Sequence, residues 1–245
     1  MFNSLIRSLI PYGSVRRVVA GPARGMRFVA SPGIGASYWL GRDAAAPRVF
    51  RRMIKPGDTV IDVGANQGQM TLLFASLVGA SGCVIAYEPG PSEFAALTRN
   101  VALNGLRNVR LINAAVDEQM GTRAFEYSPE HPTQGRLASP GASSASKKSV
   151  QVLTAALDAL IPEGVRPSMI KVDAEGGGVG ALRGARGLIA SSWPQIYIEL
   201  HSPEEQAIVK TELISRGYEA WTLDGRAVID PTSTWATPLW CRRPE

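Results

Sequence analysis

The chain has 245 residues, of which 45% are apolar, 19% charged and 7% aromatic, a balance that fits one large α/β unit with a substantial core and excludes a low-complexity or collagen-like chain. Its net charge is +5, but the short basic clusters Arg16-Arg17, Arg51-Arg52 and Lys147-Lys148 are scattered, so a solvated basic face or attraction to an acidic ligand is expected and a nucleic-acid partner is not. The two cysteines, Cys83 and Cys241, make neither a disulfide framework nor a zinc site, which points to a cytoplasmic setting.

In chain order, "MFNSLIRSLI" is apolar at Phe2, Leu5, Ile6, Leu9 and Ile10, and Pro11 follows. That is helical spacing with a stop. The helix is expected to pack on the domain or on a second copy as a route to a homo-oligomer, with a membrane-surface or lid helix as the alternative. No run reaches the length of a transmembrane segment, and no signal-peptide pattern is present. "RGMRFVA" and "ASYWL" are strand-like runs around the turn-rich "SPGIG". Residues 1–50 are therefore read as an N-terminal extension packing on or capping a main domain at 51–245.

From "KPGD" onward, strands and helices alternate. Strands are predicted at Thr59–Val63, Cys83–Tyr87, Val109–Ile112, Ser168–Val172 and Gln195–Leu200, with helices near 67–79, 92–104, 179–191 and 203–216. In "EFAALTRNVALN", Phe94, Leu97, Val101 and Asn104 share a helical face. Continuously apolar strands alternating with helices predict a parallel sheet covered on both sides. The tail strands "GYEAWTL" and "WATPLWCRR" have no crossover helix between them, so one must return antiparallel. Residues 128–149 are rich in Pro, Gly, Ser and Ala without a period. They read as a functional or disordered loop in which His131 is solvated.

The stretch "TVIDVGANQGQM" joins a strand to a helix through glycines, the device by which open parallel sheets bring backbone close to a nucleotide cofactor. Asp62 lies just before the glycines, where it would repel a pyrophosphate but suit a cationic group. Glu88, at the end of the next strand, stands where nucleotide folds place the carboxylate that accepts from ribose hydroxyls. A ribose, a positive charge and no phosphate together describe S-adenosylmethionine.

Several linked motifs, "DTVIDVGANQGQMTLLFA", "VIAYEPGPSEFAALTRNVALN", "VRLINAAVDE", "LTAALDAL" and "IKVDAEGGGVGALRGARGLI…IYIELH", make the chain resemble the FkbM-type S-adenosylmethionine-dependent methyltransferases over roughly residues 20–225. The resemblance implies a class I, Rossmann-like fold: a seven-stranded sheet, mostly parallel, with an antiparallel last strand. It implies transfer of a methyl group from S-adenosylmethionine, usually to a hydroxyl of a natural product or sugar, so the partner expected is a small-molecule or glycan acceptor. Carried over by motif, Asp62, Gly64, Asn66 and Gly68 would line the methionine end of the cofactor, Glu88 would take the ribose, and Asn113 and Ala114, with Ala115, would pass the adenine edge.

Downstream, "IKVDAEG" and "IYIELH" place Asp173 and Glu175, then Glu199 and His201, two residues apart at the ends of adjacent strands. Asp173 is the first candidate to contact the acceptor or remove its proton, followed by Glu175 and His201. Glu199 and Asp173 each also have a structural reading, as an acid that caps the following helix or pairs with a lysine, and His201 can be read as a loop residue before a helix capped by Ser202. Carboxylates suit a divalent ion, but the sequence demands no metal. Where the family commonly carries further acids after "DAEG", this chain has Gly177, Gly178, Val179 and Gly180. Those missing acids support a second reading, a cofactor-binding protein with weakened or lost catalysis that acts as a partner or regulator. A nicotinamide-dependent oxidoreductase is disfavoured by Asp62 and by the absence of a G-x-G-x-x-G string.

Overall fold

The computed structural model describes residues 13–20, 23–29, 45–127, 135–138, 148–233 and 236–244. The helix expected over 1–10, the run "ASYWL", His131 and much of 128–149 lie outside the described residues. The strands are β1 Val15–Arg17, β2 Arg27–Val29, β3 Thr59–Val63, β4 Cys83–Tyr87, β5 Val109–Ile112, β6 Ala115–Val116, β7 Gly121–Tyr127, β8 Arg136–Leu137, β9 Lys148–Ala155, β10 Met169–Val172, β11 Gln195–Ile198, β12 Glu219–Thr222, β13 Ala227–Val228 and β14 Leu239–Arg242. The helices are α1 Ala45–Met53, α2 Gln69–Val78, α3 Pro91–Leu103, α4 Leu157–Leu160, α5 Gly178–Arg183, α6 Arg186–Ser192 and α7 Pro203–Glu212.

The main sheet runs β13-β12-β14-β11-β10-β3-β4-β5. Five strands, β11 through β5, are mutually parallel, and β14 enters antiparallel between β11 and β12. The class I architecture is as expected, with an eighth strand, the two-residue edge strand β13, added to the seven. Period-2 alternation sorts the sheet's side chains into two layers. Val60, Val84, Met169 and Tyr197 pack with Phe50 of α1 and Leu73, Phe74 and Val78 of α2. Ile61, Ile85, Ile170 and Ile196 pack on the other face with Leu182, Ile189 and Val209. Each such Val, Ile or Leu removed from water contributes about 1.5–3 kcal/mol, which is why the strand ends, where polar residues collect, are left to do chemistry.

Three local expectations are corrected. The helix expected over 179–191 is two helices, α5 and α6, separated at Gly184-Ala185. A Cβ at Gly184 would stand 2.2 Å from the Asp117 carbonyl oxygen, so the break brings the chain against β6. The helix expected to reach 216 ends at Glu212 and continues as a 3-10 turn over Ile214–Arg216. The 128–149 segment is not wholly a loop: β8 lies inside it and pairs with β7, which pairs with β9, in a second sheet ordered β6-β9-β7-β8. Its alternation is weak in sequence because only Phe125, Val152 and Ala115 form its small buried cluster.

The described part of the N-terminal segment is built onto the domain. Val18 and Phe28 share a buried cluster with Leu72, Leu97 and Val101. Asn100 of α3, fully buried, accepts from the Val29 N–H (2.9 Å) and donates to the Gln67 carbonyl (2.8 Å).

Candidate active site

The turn after β3 is shaped first by the protein's own backbone. Gly64 has φ +74°, and a Cβ there would lie 1.9 Å from the Asp173 carbonyl oxygen. Its side chain is therefore absent because β10 crosses against it, not for a ligand alone. Asn66 is also left-handed, at φ 50°, and its N–H donates to Glu88 Oε2 (2.7 Å). The Gly90 N–H donates to Glu88 Oε1 (2.8 Å). Burial outweighs these two donors and pushes the Glu88 carboxyl up to about 7. Asn113 braces the neighbouring strand ends by donating to the Glu88 carbonyl (2.7 Å).

A cavity of about 130 Å3 opens between these strand ends. Gly64, Asn66, Glu88 and Ala114 line it, as do Asp173 and Glu175. Asp62, Gly68 and Asn113 do not appear on its wall. Of the charged side chains that line it, Glu88, Glu93, Asp173 and Glu175 are acids and Arg136 is the one base. Tyr87 also lines it, and its buried hydroxyl has no hydrogen-bond partner among the described residues. Desolvation pushes that phenol up to about 12, so it remains a donor at neutral pH. An unpaired hydroxyl, a buried carboxylate and an excess of negative charge suit a cationic ligand rich in hydroxyls, as S-adenosylmethionine is. Phe125 and residues 135–137 narrow the cavity from the second sheet, and it is smaller than the roughly 300–1,000 Å3 of most ligand pockets.

Asp62 is fully buried, with Oδ2 accepting from Thr71 Oγ1 (2.6 Å) and Oδ1 facing Lys171 Nζ at 3.0 Å. Oδ1 makes no aligned hydrogen bond, so that contact is an ion pair. The cation facing Asp62 is thus a residue of the chain itself. Lys171, which the sequence reading passed over, also lies 3.5 Å from Asp173 Oδ2 and donates to the Gly64 carbonyl (3.1 Å). Burial alone would lower its pKa, but the Asp62 and Asp173 carboxylates outweigh burial and raise it. The signal was present: a lysine in the otherwise apolar strand "MIKV" must find a buried anion.

The three catalytic candidates meet. His201 Nε2 lies 3.5 Å from Asp173 Oδ1, and Nδ1 lies 3.5 Å from Glu175 Oε2. The Asp173 hydrogen bond raises the imidazole to about 9 against partial desolvation, so His201 is an imidazolium at neutral pH. Burial would raise Asp173, but Lys171 and His201 outweigh it and hold the carboxyl below its ordinary value. Glu199 is raised, first by burial and then by the Asp173 charge, while Tyr197 Oη donates to it at 2.9 Å. Asp173, Glu199 and His201 each offer one ligand atom within 4.8 Å of the others, a donor set that could share a divalent cation only after the imidazolium gives up its proton.

The glycines after Glu175 are matched by an acid from elsewhere. Glu205 of α7, almost fully buried, accepts from the Gly178 N–H (2.8 Å) and the His201 N–H (2.6 Å). A carboxylate therefore does stand at the start of α5, delivered by the facing helix.

Comparison with known proteins bears on the family and the fold. The model of the methyltransferase FkbM domain matches residues 62–220. The 31-O-demethyl-FK506 methyltransferase FkbM of Streptomyces tacrolimicus is 36% identical over 105 residues, which are 42% of this chain and 40% of that protein. Methyltransferase 1 of Beauveria bassiana is 26% identical over 206 residues, 75% of this chain and 78% of its own. The crystal structure of Methyltransferase FkbM from Methylobacillus flagellatus superposes with a TM-score of 0.52 at 17% identity, covering 84% of this chain and 52% of that one, a likeness of fold. This chain thus spans about half, or less, of the length of those two FkbM proteins. With the family model covering residues 62–220, well over half of the chain, the chain belongs to the FkbM methyltransferase family.

Proposed function

We propose that the protein transfers a methyl group from S-adenosylmethionine to a hydroxyl of a small metabolite, natural product or glycan. The observation that carries this reading is the acid-lined cavity between Glu88 and Asp173, in a chain of this family. When bound, S-adenosylmethionine supplies a methyl group on a sulfonium, an electrophile that needs no further activation. Glu88 would accept from the ribose hydroxyls, and the Tyr87 hydroxyl, which has no partner among the described residues, would be free to donate to the cofactor. Gly64, Asn66 and Ala114, which line the cavity, would form the wall along the cofactor. Asp62 and Gly68 act one step back: Asp62 fixes Lys171 and the first turn of α2, and Gly68 makes the turn at φ +95°.

At the acceptor, positioning the hydroxyl in line with the methyl group supplies much of the acceleration. Asp173 would hold that hydroxyl and take its proton onto a carboxylate oxygen as the methyl group passes from sulfur to oxygen, the sulfur–carbon bond breaking and the neutral thioether leaving. Lys171 and His201 keep Asp173 ionised and oriented, and Glu175 holds the other side of the imidazole. His201, already protonated, serves as an orienting cation and not as the base.

The test pairs binding with turnover. Calorimetry should show binding of S-adenosylmethionine and of its demethylated product, without comparable affinity for NAD. Asp173→Asn should leave that affinity nearly intact and lower methyl transfer by roughly 10²-fold or more. Undiminished transfer by the variant would remove Asp173 from the reaction, and absence of cofactor binding would remove the function.

The second reading, a binding protein with weakened catalysis, rests on the acids missing after Glu175. Glu205 stands in that place, which takes away most of its support.

A further inference from the structure

At the carboxyl edge of the main sheet, beyond β11, a second cavity of about 650 Å3 lies between α1 and the tail strands. Arg48 and Arg52, one helical turn apart on α1, line one side, and Leu223, Asp224, Arg226 and Thr237 line the other. The guanidinium groups of Arg48 and Arg52 make no hydrogen bond or ion pair with any other described residue. Arg226 shares Asp224 through Nε (3.0 Å), which leaves its two terminal nitrogens for another partner. Three guanidinium groups against one carboxylate give this groove the opposite sign to the acid-lined cofactor cavity.

The groove also adjoins the reacting groups. Thr237 Oγ1 on its wall accepts from the N–H of Leu200, the residue between Glu199 and His201 (2.8 Å). Phe50, next to Val49 on the same wall, packs 4.8 Å from the ring of Tyr197, whose hydroxyl donates to Glu199. Through Thr237 and Phe50 the wall of the groove is continuous with the strand end that carries Glu199 and His201.

Resting on the methyltransferase reading above, we propose that this groove is the acceptor site and that the acceptor carries an oxyanion, a phosphate or a carboxylate, held by Arg48, Arg52 and Arg226. Planar guanidinium groups converging on one space match the bidentate geometry of such anions. The cofactor brings positive charge to an acidic cavity, and the acceptor brings negative charge to a basic one, so neither ligand competes for the other's place.

The test is calorimetric titration of the full chain at fixed ionic strength with inorganic pyrophosphate and, separately, with citrate; the tighter of the two identifies the anion. Saturable binding is expected, unchanged by saturating S-adenosylhomocysteine. It should weaken at least about tenfold in the doubly substituted Arg48→Gln, Arg52→Gln protein, the scale of losing charged hydrogen bonds. Arg51→Gln, on the same helix but off the groove, should leave it unchanged, whereas diffuse attraction to a basic helix would respond equally to all three positions. Equal weakening by Arg51→Gln, loss of the anion on adding S-adenosylhomocysteine, or no effect of the double substitution would each overturn the proposal. A single-stranded RNA that binds far more tightly than pyrophosphate, with the same dependence on Arg48 and Arg52, would overturn it in favour of a nucleic-acid acceptor. Binding of S-adenosylhomocysteine in the same samples reports on the methyltransferase reading separately. Its absence would sink that reading, while the arginine dependence would still decide whether the groove is an anion site.

Discussion

Glu88 shows how one buried carboxylate couples stability to binding. Its value in the fold, about 7, lies above the ordinary 4.5, so between those values the folded chain binds more protons than the unfolded one. The ligand-free fold therefore loses stability as pH rises through that window. Cofactor binding runs the other way, because only the carboxylate accepts from two ribose hydroxyls. Titration of a single group at about 7 should make affinity for S-adenosylhomocysteine about tenfold lower at pH 6 than at pH 8. Calorimetry across that range should show the change in wild type and a flat, weaker profile in Glu88→Gln. A flat wild-type profile would mean that the site binds without an ionised Glu88. Glu88 was legible from its place after a strand, but its raised pKa was not, because it arises first from burial in the fold and then from the nearby Glu93 charge.

Among the elements, α5 and α7 explain why the run of glycines is tolerated. A Cβ at Gly178 would lie 2.8 Å from Glu205 Oε1, and Glu205 already supplies the carboxylate at that helix start. Gly178→Glu would therefore set a second acid against a buried one and displace it. The expected result is a loss of about 1–3 kcal/mol in urea unfolding, the usual cost of overpacking, with no gain in methyl transfer. A variant as stable as wild type that turns over faster would show that an acid was missing after all. The sequence reading saw that acids were absent from 177–179. It had no means of seeing that an acid 27 residues later in the chain fills the same space, because that depends on how α7 lies across α5.

Over the whole molecule, the described N-terminal hairpin, α3 and the glycine turn are tied together through Asn100. Its amide satisfies two buried backbone groups, the Val29 N–H and the Gln67 carbonyl. Asn100→Ala should cost about 1–3 kcal/mol for each group left without a partner and weaken cofactor binding through the loosened turn. Thermal melting with and without S-adenosylhomocysteine should show both effects. An unchanged melting temperature would mean that the hairpin does not depend on this residue. Among the described residues, no helix is long and apolar enough to cross a membrane.

What the sequence determined by itself was everything carried by local period and by short motifs. Apolar runs bounded by turns located β3, β4, β5, β10 and β11, and the strand–glycine–helix unit with an acid after the next strand located the turn around Glu88, whereas the charge read into Asp62 is answered by Lys171. The pairing of the tail strands followed from the lack of room for a crossover. Only the tertiary structure decided which charges face one another. It gave Asp62 a lysine two strand positions before Asp173, protonated His201 by setting it against Asp173 and Glu175, and brought Arg48 and Arg52 opposite Arg226, more than 170 residues away. Such pairings depend on the approach of groups distant in the chain, and electrostatic energy falls with that distance and with access to water. Composition and spacing record neither.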